Sequence, residues 1–268
     1  MAIYTLTPSS STVHGSFSKE HETILSINSG DTIKFSTLDA GWGQASIETG
    51  KRVKLVERRE NIDGGHALCG PIYINGAKKG MTLEVKINQI IPGTIGFTSA
   101  GQYPNWQNQK LGLTEEKEIT LDWQVDAAAN IATTKIKDRA FSVKLSPFMG
   151  IFGMPPDESG NHSTFPPRPC GGNLDCKELT KGSTLYLPIP VDGGWFSLGD
   201  GHAAQGDGEI SGQAIECPME LVDLTFTINE HKVIKMPQAQ TPAGWITFGF
   251  HEDLNEATVF LLPFISEW

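Results

Sequence analysis

Positive charge is in short supply: 21 Lys and Arg stand against 31 Asp and Glu, a formal net charge of −10. A phosphate-binding face needs the opposite balance, so nucleic acid is excluded as the expected partner. Long apolar runs are missing as well. None approaches the ~18 residues of a membrane span, and Met1-Ala2-Ile3-Tyr4-Thr5-Leu6 has neither the basic start nor the apolar core of a signal peptide. No membrane partner is expected, and the expected location is the cytoplasm. Cysteine is confined to Cys69, Cys170, Cys176 and Cys217 with no Cys-x-x-Cys pair, which excludes a zinc knuckle and a dithiol redox motif. Reduced, mostly buried thiols are the expectation, with Cys69, three residues after His66, the one candidate nucleophile. There is no Gly-x-Ser-x-Gly elbow for a serine hydrolase. Gly150 to Gly153 lacks the following Lys-Ser/Thr of a phosphate cradle and reads as an apolar loop.

Helical periodicity is equally scarce, and period-two alternation takes its place. Ser29-Gly30-Asp31-Thr32-Ile33-Lys34-Phe35, Lys79-Gly80-Met81-Thr82-Leu83-Glu84-Val85 and Lys181-Gly182-Ser183-Thr184-Leu185-Tyr186-Leu187 each run from a turn glycine into an alternating, half-buried strand. Further strands are expected at 82–91, 118–125, 131–136, 140–145, 209–216 and 221–228. Residues 97–113 and 147–169 read as long loops of the kind that carry function. Lys51-Arg52-Val53-Lys54 and Glu57-Arg58-Arg59-Glu60 read as a solvated charged face. The expected fold is mainly β, a duplicated β-sandwich or jelly-roll-like framework with a small α+β portion near the C-terminus. Its 268 residues make a single unit or two β subdomains with a boundary near 126–140.

The densest chemistry lies in Gly199-Asp200-Gly201-His202-Ala203-Ala204-Gln205-Gly206-Asp207-Gly208-Glu209. Asp, His and Glu bind divalent cations and move protons, and glycine lets the backbone come close to an ion or substrate. A polar turn with solvated carboxylates is the plain alternative. If the segment is extended, Asp200 and His202 share one face, and Asp207 and Glu209 form a second such pair. Gly65-His66-Ala67-Leu68-Cys69-Gly70 echoes Gly201-His202-Ala203-Ala204-Gln205-Gly206, which suggests two related half-sites.

Five motifs, taken in order, resemble the acetamidase/formamidase family. They are Gly65-His66 through Gly70-Pro71-Ile72-Tyr73, Pro147-Phe148-Met149-Gly150, Gly171-Gly172-Asn173-Leu174-Asp175, Gly182 through Pro188, and Gly199 through Glu209. The likeness runs from about Thr12-Val13-His14 to Gly249-Phe250. It implies a β-sandwich amidohydrolase that cleaves short aliphatic amides to carboxylate and ammonia, carries a divalent metal and forms a homodimer. The segment after Phe250 is shorter than the family's usual tail. Its apolar Val259, Phe260, Leu261, Leu262, Phe264, Ile265 and Trp268 are expected to pack on the β core or on a second subunit.

Within that resemblance Asp200, His202, Asp207, Asp175 and His14 are the candidate metal ligands. Asp207 alternatively orients a ligand, and Glu209 serves as a ligand or as the general base. His66 joins through the half-site echo, and Asn173 offers a side-chain amide to the substrate. Histidine among carboxylates favours zinc, with calcium the other candidate. The competing function is an inactive or small-ligand-binding β sandwich that keeps the metal for structure.

Overall fold

A computed structural model describes residues 1–265, with side chains described through Leu261. Two sheets dominate it. The seven-stranded sheet runs Ile3–Leu6, Thr32–Phe35, Met219–Asn229, Thr82–Pro92, Thr184–Pro188, Gln238–Thr241 and Gly244–Thr247. All three glycine-led segments lie in it. Gly30, Gly80 and Gly182 take φ of 93, 91 and 94°, and each donates its N–H to a carbonyl of another segment, on Phe226, Ile189 and Ile87. Alternation then buries Ile33 and Phe35, Leu83 and Val85, and Leu185 and Leu187.

The eleven-stranded sheet runs Arg139–Lys144, Ile131–Ile136, Ile119–Asp126, Ile95–Ala100, Ile215–Glu216, Phe196–Ala204, Phe148–Gly153 and Gly171–Asn173. Leu68–Asn75 also pairs with Phe196–Ala204 and brings Val13–His14 and Leu25–Asn28 with it. The sheets meet over one apolar core, where the Phe196 ring of one sheet lies edge-on to Phe226 of the other at 5.0 Å between centroids. The fold is therefore mostly β, with a helix at Leu254–Ile265. Among the described residues no helix is long and apolar enough to cross a membrane.

Several local expectations change. Phe148–Gly153 is a strand rather than part of a loop, and all six of its residues are buried. A strand covered on both faces shows no alternation in sequence, and its glycines disguise it further. The segment 97–113 begins inside a strand and then forms the short helix Trp106–Leu111. That helix is capped by the Asn105 side chain and by Gly112 at φ 69°, with Tyr103 and Trp106 exposed. Of residues 209–216 only Ile215–Glu216 is strand. The basic clusters are not uniformly solvated. Arg52 grips the buried Asp39 through two hydrogen bonds of 2.6 and 2.8 Å, and Arg59 grips the buried Asp63 in the same way.

The C-terminal expectation is met in part. Leu261 packs beside Gly249 and Ala257 is buried, whereas Val259 and Phe260 are exposed. The side chains of Leu262, Phe264 and Ile265, and all of Trp268, lie outside the described residues.

Candidate active site

The strand Phe196–Ala204 changes partners halfway along one edge. Gly199 pairs with Leu68, but by His202 the neighbour is Glu216. Asp200 lies between the two pairings and takes φ of 60°, a left-handed kink that Asp tolerates better than bulkier residues. On the opposite edge, Met149 pairs with Gly201 and Ile151 with Gly199, which sets Gly150 across from Asp200. Gly171–Asn173 is the next strand out, and Asp175 follows its end. Three strands or their ends, packed on either side of Phe148–Gly153, thus deliver Asp175, Asp200, His202 and Glu216 to one place.

His202 is the hub. Its Nε2 lies 3.3 Å from Asp200 Oδ1 and 3.3 Å from Glu216 Oε2, an ion pair with each when the ring is protonated. Direct cross-strand pairing explains why His202 and Glu216 meet. Ligand atoms of Asp175, Asp200 and His202 fall within 4.8 Å of one another, as do those of His202, Glu209 and Glu216. Gly150 forms the floor. A Cβ there would come within 2.6 Å of both Asp175 Oδ1 and Asp200 Oδ2, so any side chain would fill the space the carboxylates use. Asp175, Asp200 and Glu209 all hold positive φ, at 43, 60 and 47°. Backbone in that region costs of order 1 kcal/mol or more per residue and persists only where its surroundings enforce it.

The electrostatics follow from this crowding. Burial opposes charge on Asp200, but the adjacent His202 more than offsets it and holds the carboxyl low, at about 2. Burial alone would lower the imidazole, and the carboxylates of Asp200 and Glu216 reverse this, so His202 is raised well above its ordinary value. Burial, reinforced by the negative charge of Asp200, pushes Asp175 up to about 6. Burial, with Asp175 the next contributor, pushes Glu209 up to about 8. Burial also raises Glu216.

Asp175 Oδ1, Glu216 Oε2 and Asn173 Oδ1 are buried with no hydrogen-bond partner. Orphan oxygens in a protein interior call for an ion, a water or a ligand. Two ligands joined to a tetrahedral ion by bonds of about 2.0–2.1 Å stand roughly 3.3 Å apart, the separation His202 Nε2 keeps from its two carboxylate neighbours. The donor set fits a divalent cation, and its imidazole favours zinc over calcium, which takes oxygen alone.

Not every residue singled out in the sequence comes here. Asp207 lies in the turn Asp207–Glu209, its side chain is 93% exposed and it pairs with Lys177. Gly208 at φ 64° breaks the extended geometry that would have put Asp207 and Glu209 on one face, so only Glu209 turns inward. His14 is buried with both ring nitrogens engaged, Nδ1 on the Ser16 carbonyl and Nε2 on Ser197 Oγ. Neither residue joins the cluster. His66 is half-buried, held by Thr164 Oγ1 at both its backbone N–H and its Nδ1 and packed on Phe165, and it bears electrostatically on Asp175 and Asp200. Cys69 is buried and its thiol is pushed up to about 12, which leaves it no role as a nucleophile. A surface cavity of about 420 Å³, lined by Arg58, Asp63, Gly65 and His162 among others, includes none of the cluster residues.

Glu216 is the residue that sequence reasoning missed. Its one signal is a carboxylate between Ile215 and Cys217 in an otherwise apolar stretch.

The acetamidase/formamidase family model matches residues 5–161 and 158–244. The chain belongs to this family. A Schizosaccharomyces pombe protein that bears a formamidase name is 28% identical over 236 residues, 69% of this chain and 56% of that protein, so the chain spans little more than half the length of that relative. Two crystal structures share the family fold. A predicted acetamidase/formamidase from Thermoanaerobacter tengcongensis superposes with a TM-score of 0.80 at 25% identity, covering 100% of this chain and 83% of the other. An acetamidase from Bacillus halodurans gives 0.77 at 27%, covering 97% and 82%.

Proposed function

We propose that this member of the acetamidase/formamidase family hydrolyses short aliphatic amides to carboxylate and ammonia with the help of a divalent cation. The observation that carries the reading is His202 Nε2 set 3.3 Å from both Asp200 Oδ1 and Glu216 Oε2, beside the orphan oxygen of Asp175. Asp200, His202, Glu216 and Asp175 would hold the cation. When bound, such an ion polarises a carbonyl and makes water acidic near neutral pH.

The chain's own residues supply the rest. Asn173 Oδ1, buried and unpartnered, is an acceptor for the amide N–H of a substrate, which is the group that distinguishes an amide from an ester. Glu209 stands half-buried on a turn at the edge of the cluster; burial holds its carboxyl protonated near neutral pH, so it gives its proton to the departing nitrogen and regains one from the attacking water. His66, fixed on Thr164, adds a polar group on the Asp175 and Asp200 side. The strand that carries Asp200 and His202 and the glycine floor opposite keep these groups in place before substrate arrives. The homodimer implied by family likeness has the exposed Val259 and Phe260 as its apolar candidate surface, and light scattering tests it.

Ammonia release from formamide, acetamide and longer amides tests the function directly. Activity should fall on complete chelation and return with zinc. Activity that persists after metal removal verified by elemental analysis overturns the metal reading. Bound zinc with no ammonia released from any amide leaves the ligand-binding alternative.

A further inference from the structure

Gln205 lies within the glycine-rich motif but outside the cluster, and it touches two of the cluster's members at once. Its Nε2 is 2.8 Å from the backbone carbonyl of Asp175, and its Oε1 is 2.9 Å from Nδ1 of His202. The two ends of a side-chain amide are hard to tell apart by shape, but here the chemistry assigns them. A backbone carbonyl only accepts, so the atom facing Asp175 must be the NH2 donor. The oxygen then faces His202, and because oxygen accepts, Nδ1 must carry the proton. The imidazole is left with Nε2 directed at Asp200 Oδ1 and Glu216 Oε2, each 3.3 Å away. Turning the amide over would set oxygen against carbonyl oxygen, and moving the ring proton would set lone pair against lone pair. The amide orientation and the Nδ1 proton are thereby fixed, and Nε2 is left to meet the carboxylates through a second proton or through a cation held between them.

We propose that Gln205 is a positioning residue that fixes the Nδ1–H form and the orientation of His202, so that Nε2 faces the carboxylates, while it ties the Asp175 segment to the same strand. The part of this that concerns a cation rests on the function proposed above; the part that concerns the ring does not. An outer hydrogen bond to the far nitrogen of a ligating histidine holds the ring in register and makes its lone pair a better donor, and losing such a partner typically costs 10–100-fold in metal affinity.

The test uses the full chain as wild type, Gln205→Leu, which keeps the bulk and removes both hydrogen bonds, and Gln205→Glu, which keeps the acceptor for Nδ1–H. Zinc affinity is read by competition with a chelating dye. The His202 ring nitrogens are read by 15N NMR, with His202→Ala supplying the assignment. The wild type should show a His202 Nδ1–H protected from solvent exchange. Gln205→Leu should lose that protection and bind zinc about 10–100-fold more weakly, and Gln205→Glu should restore both to within a few-fold of wild type. A zinc-loaded wild type with its proton on Nε2, or a folded Gln205→Leu with unchanged protection and zinc affinity, overturns the proposal. If Gln205→Leu does not fold, failure of the folded Gln205→Glu to retain a protected Nδ1–H overturns it instead. If the wild type binds no zinc, the metal reading fails by itself. Exchange protection in the metal-free wild type and variants then decides the role of Gln205.

Discussion

His14 and His202 are both nearly inaccessible, at 4% and 1% exposure, and hydrogen bonds tie both to the strand Phe196–Ala204 or its immediate continuation, yet the protein treats them in opposite ways. His14 has a carbonyl on one nitrogen and a hydroxyl on the other, with its ring 5.1 Å from His21. Burial, with His21 adding to it, lowers its pKa to about 3 and the ring stays neutral. His202 has one nitrogen satisfied by Gln205 and the other facing two carboxylates at 3.3 Å. Burial therefore does not separate a structural histidine from a functional one. What separates them is whether every polar atom nearby has a partner. Around His14 they do, and around His202 buried oxygens are left over.

Removing His202 should break this contrast most severely. His202→Ala is expected to abolish detectable amide hydrolysis and to weaken zinc binding by more than the roughly 100-fold seen for outer-sphere partners. Retained zinc affinity, measured by chelator competition, would place the metal elsewhere. Gly150→Ala comes next, because its methyl group must displace Asp175 or Asp200. We expect a stability loss of about 1–3 kcal/mol by overpacking and a larger proportional loss of zinc affinity, checked by thermal denaturation with and without zinc.

His14→Ala should act on the fold instead. It opens a cavity and strands the Ser197 hydroxyl and the Ser16 carbonyl, for about 2–4 kcal/mol, while turnover per folded molecule stays close to wild type. It should also change the response to acid. A histidine held neutral in the fold but titrating at the ordinary 6.5 when unfolded gives stability that is complete above that value and is lost as the pH falls. Between the two values the loss is roughly 1.4 kcal/mol per pH unit. Denaturant titrations at a series of pH values should show a shallower slope for His14→Ala below pH 6.5, and equal slopes would mean His14 is not the titrating group. Asp207→Ala should do least. With its carboxylate on the surface beside Lys177, zinc affinity and turnover should match wild type, and a clear drop in either would return Asp207 to the site.

The contrast also shows what could be read from residue order. Gly199 through Glu209 announced a site because three carboxylates and a histidine among glycines are more than a turn requires. Three of those four side chains do converge with Asp175 from the neighbouring motif. His14 and Asp207 were of the right residue types, but only the packing shows that one is already satisfied and that the other turns away. Glu216 was hidden for the complementary reason: a single acidic residue in a short apolar strand has no local partner to mark it.

The sequence by itself determined the mostly β architecture, through period-two alternation behind turn glycines, and the segments that hold the chemistry. These are local properties, written in neighbouring residues. Tertiary structure alone decided which ligands meet. The cluster forms where Phe196–Ala204 exchanges Leu68 for Glu216 as its neighbour, and the distant pairing of Gly199 with Leu68 sets where that exchange falls. Long-range register has no signature in the order of the residues it joins, because it is fixed by the shared burial of faces that come together only when the sheet is complete.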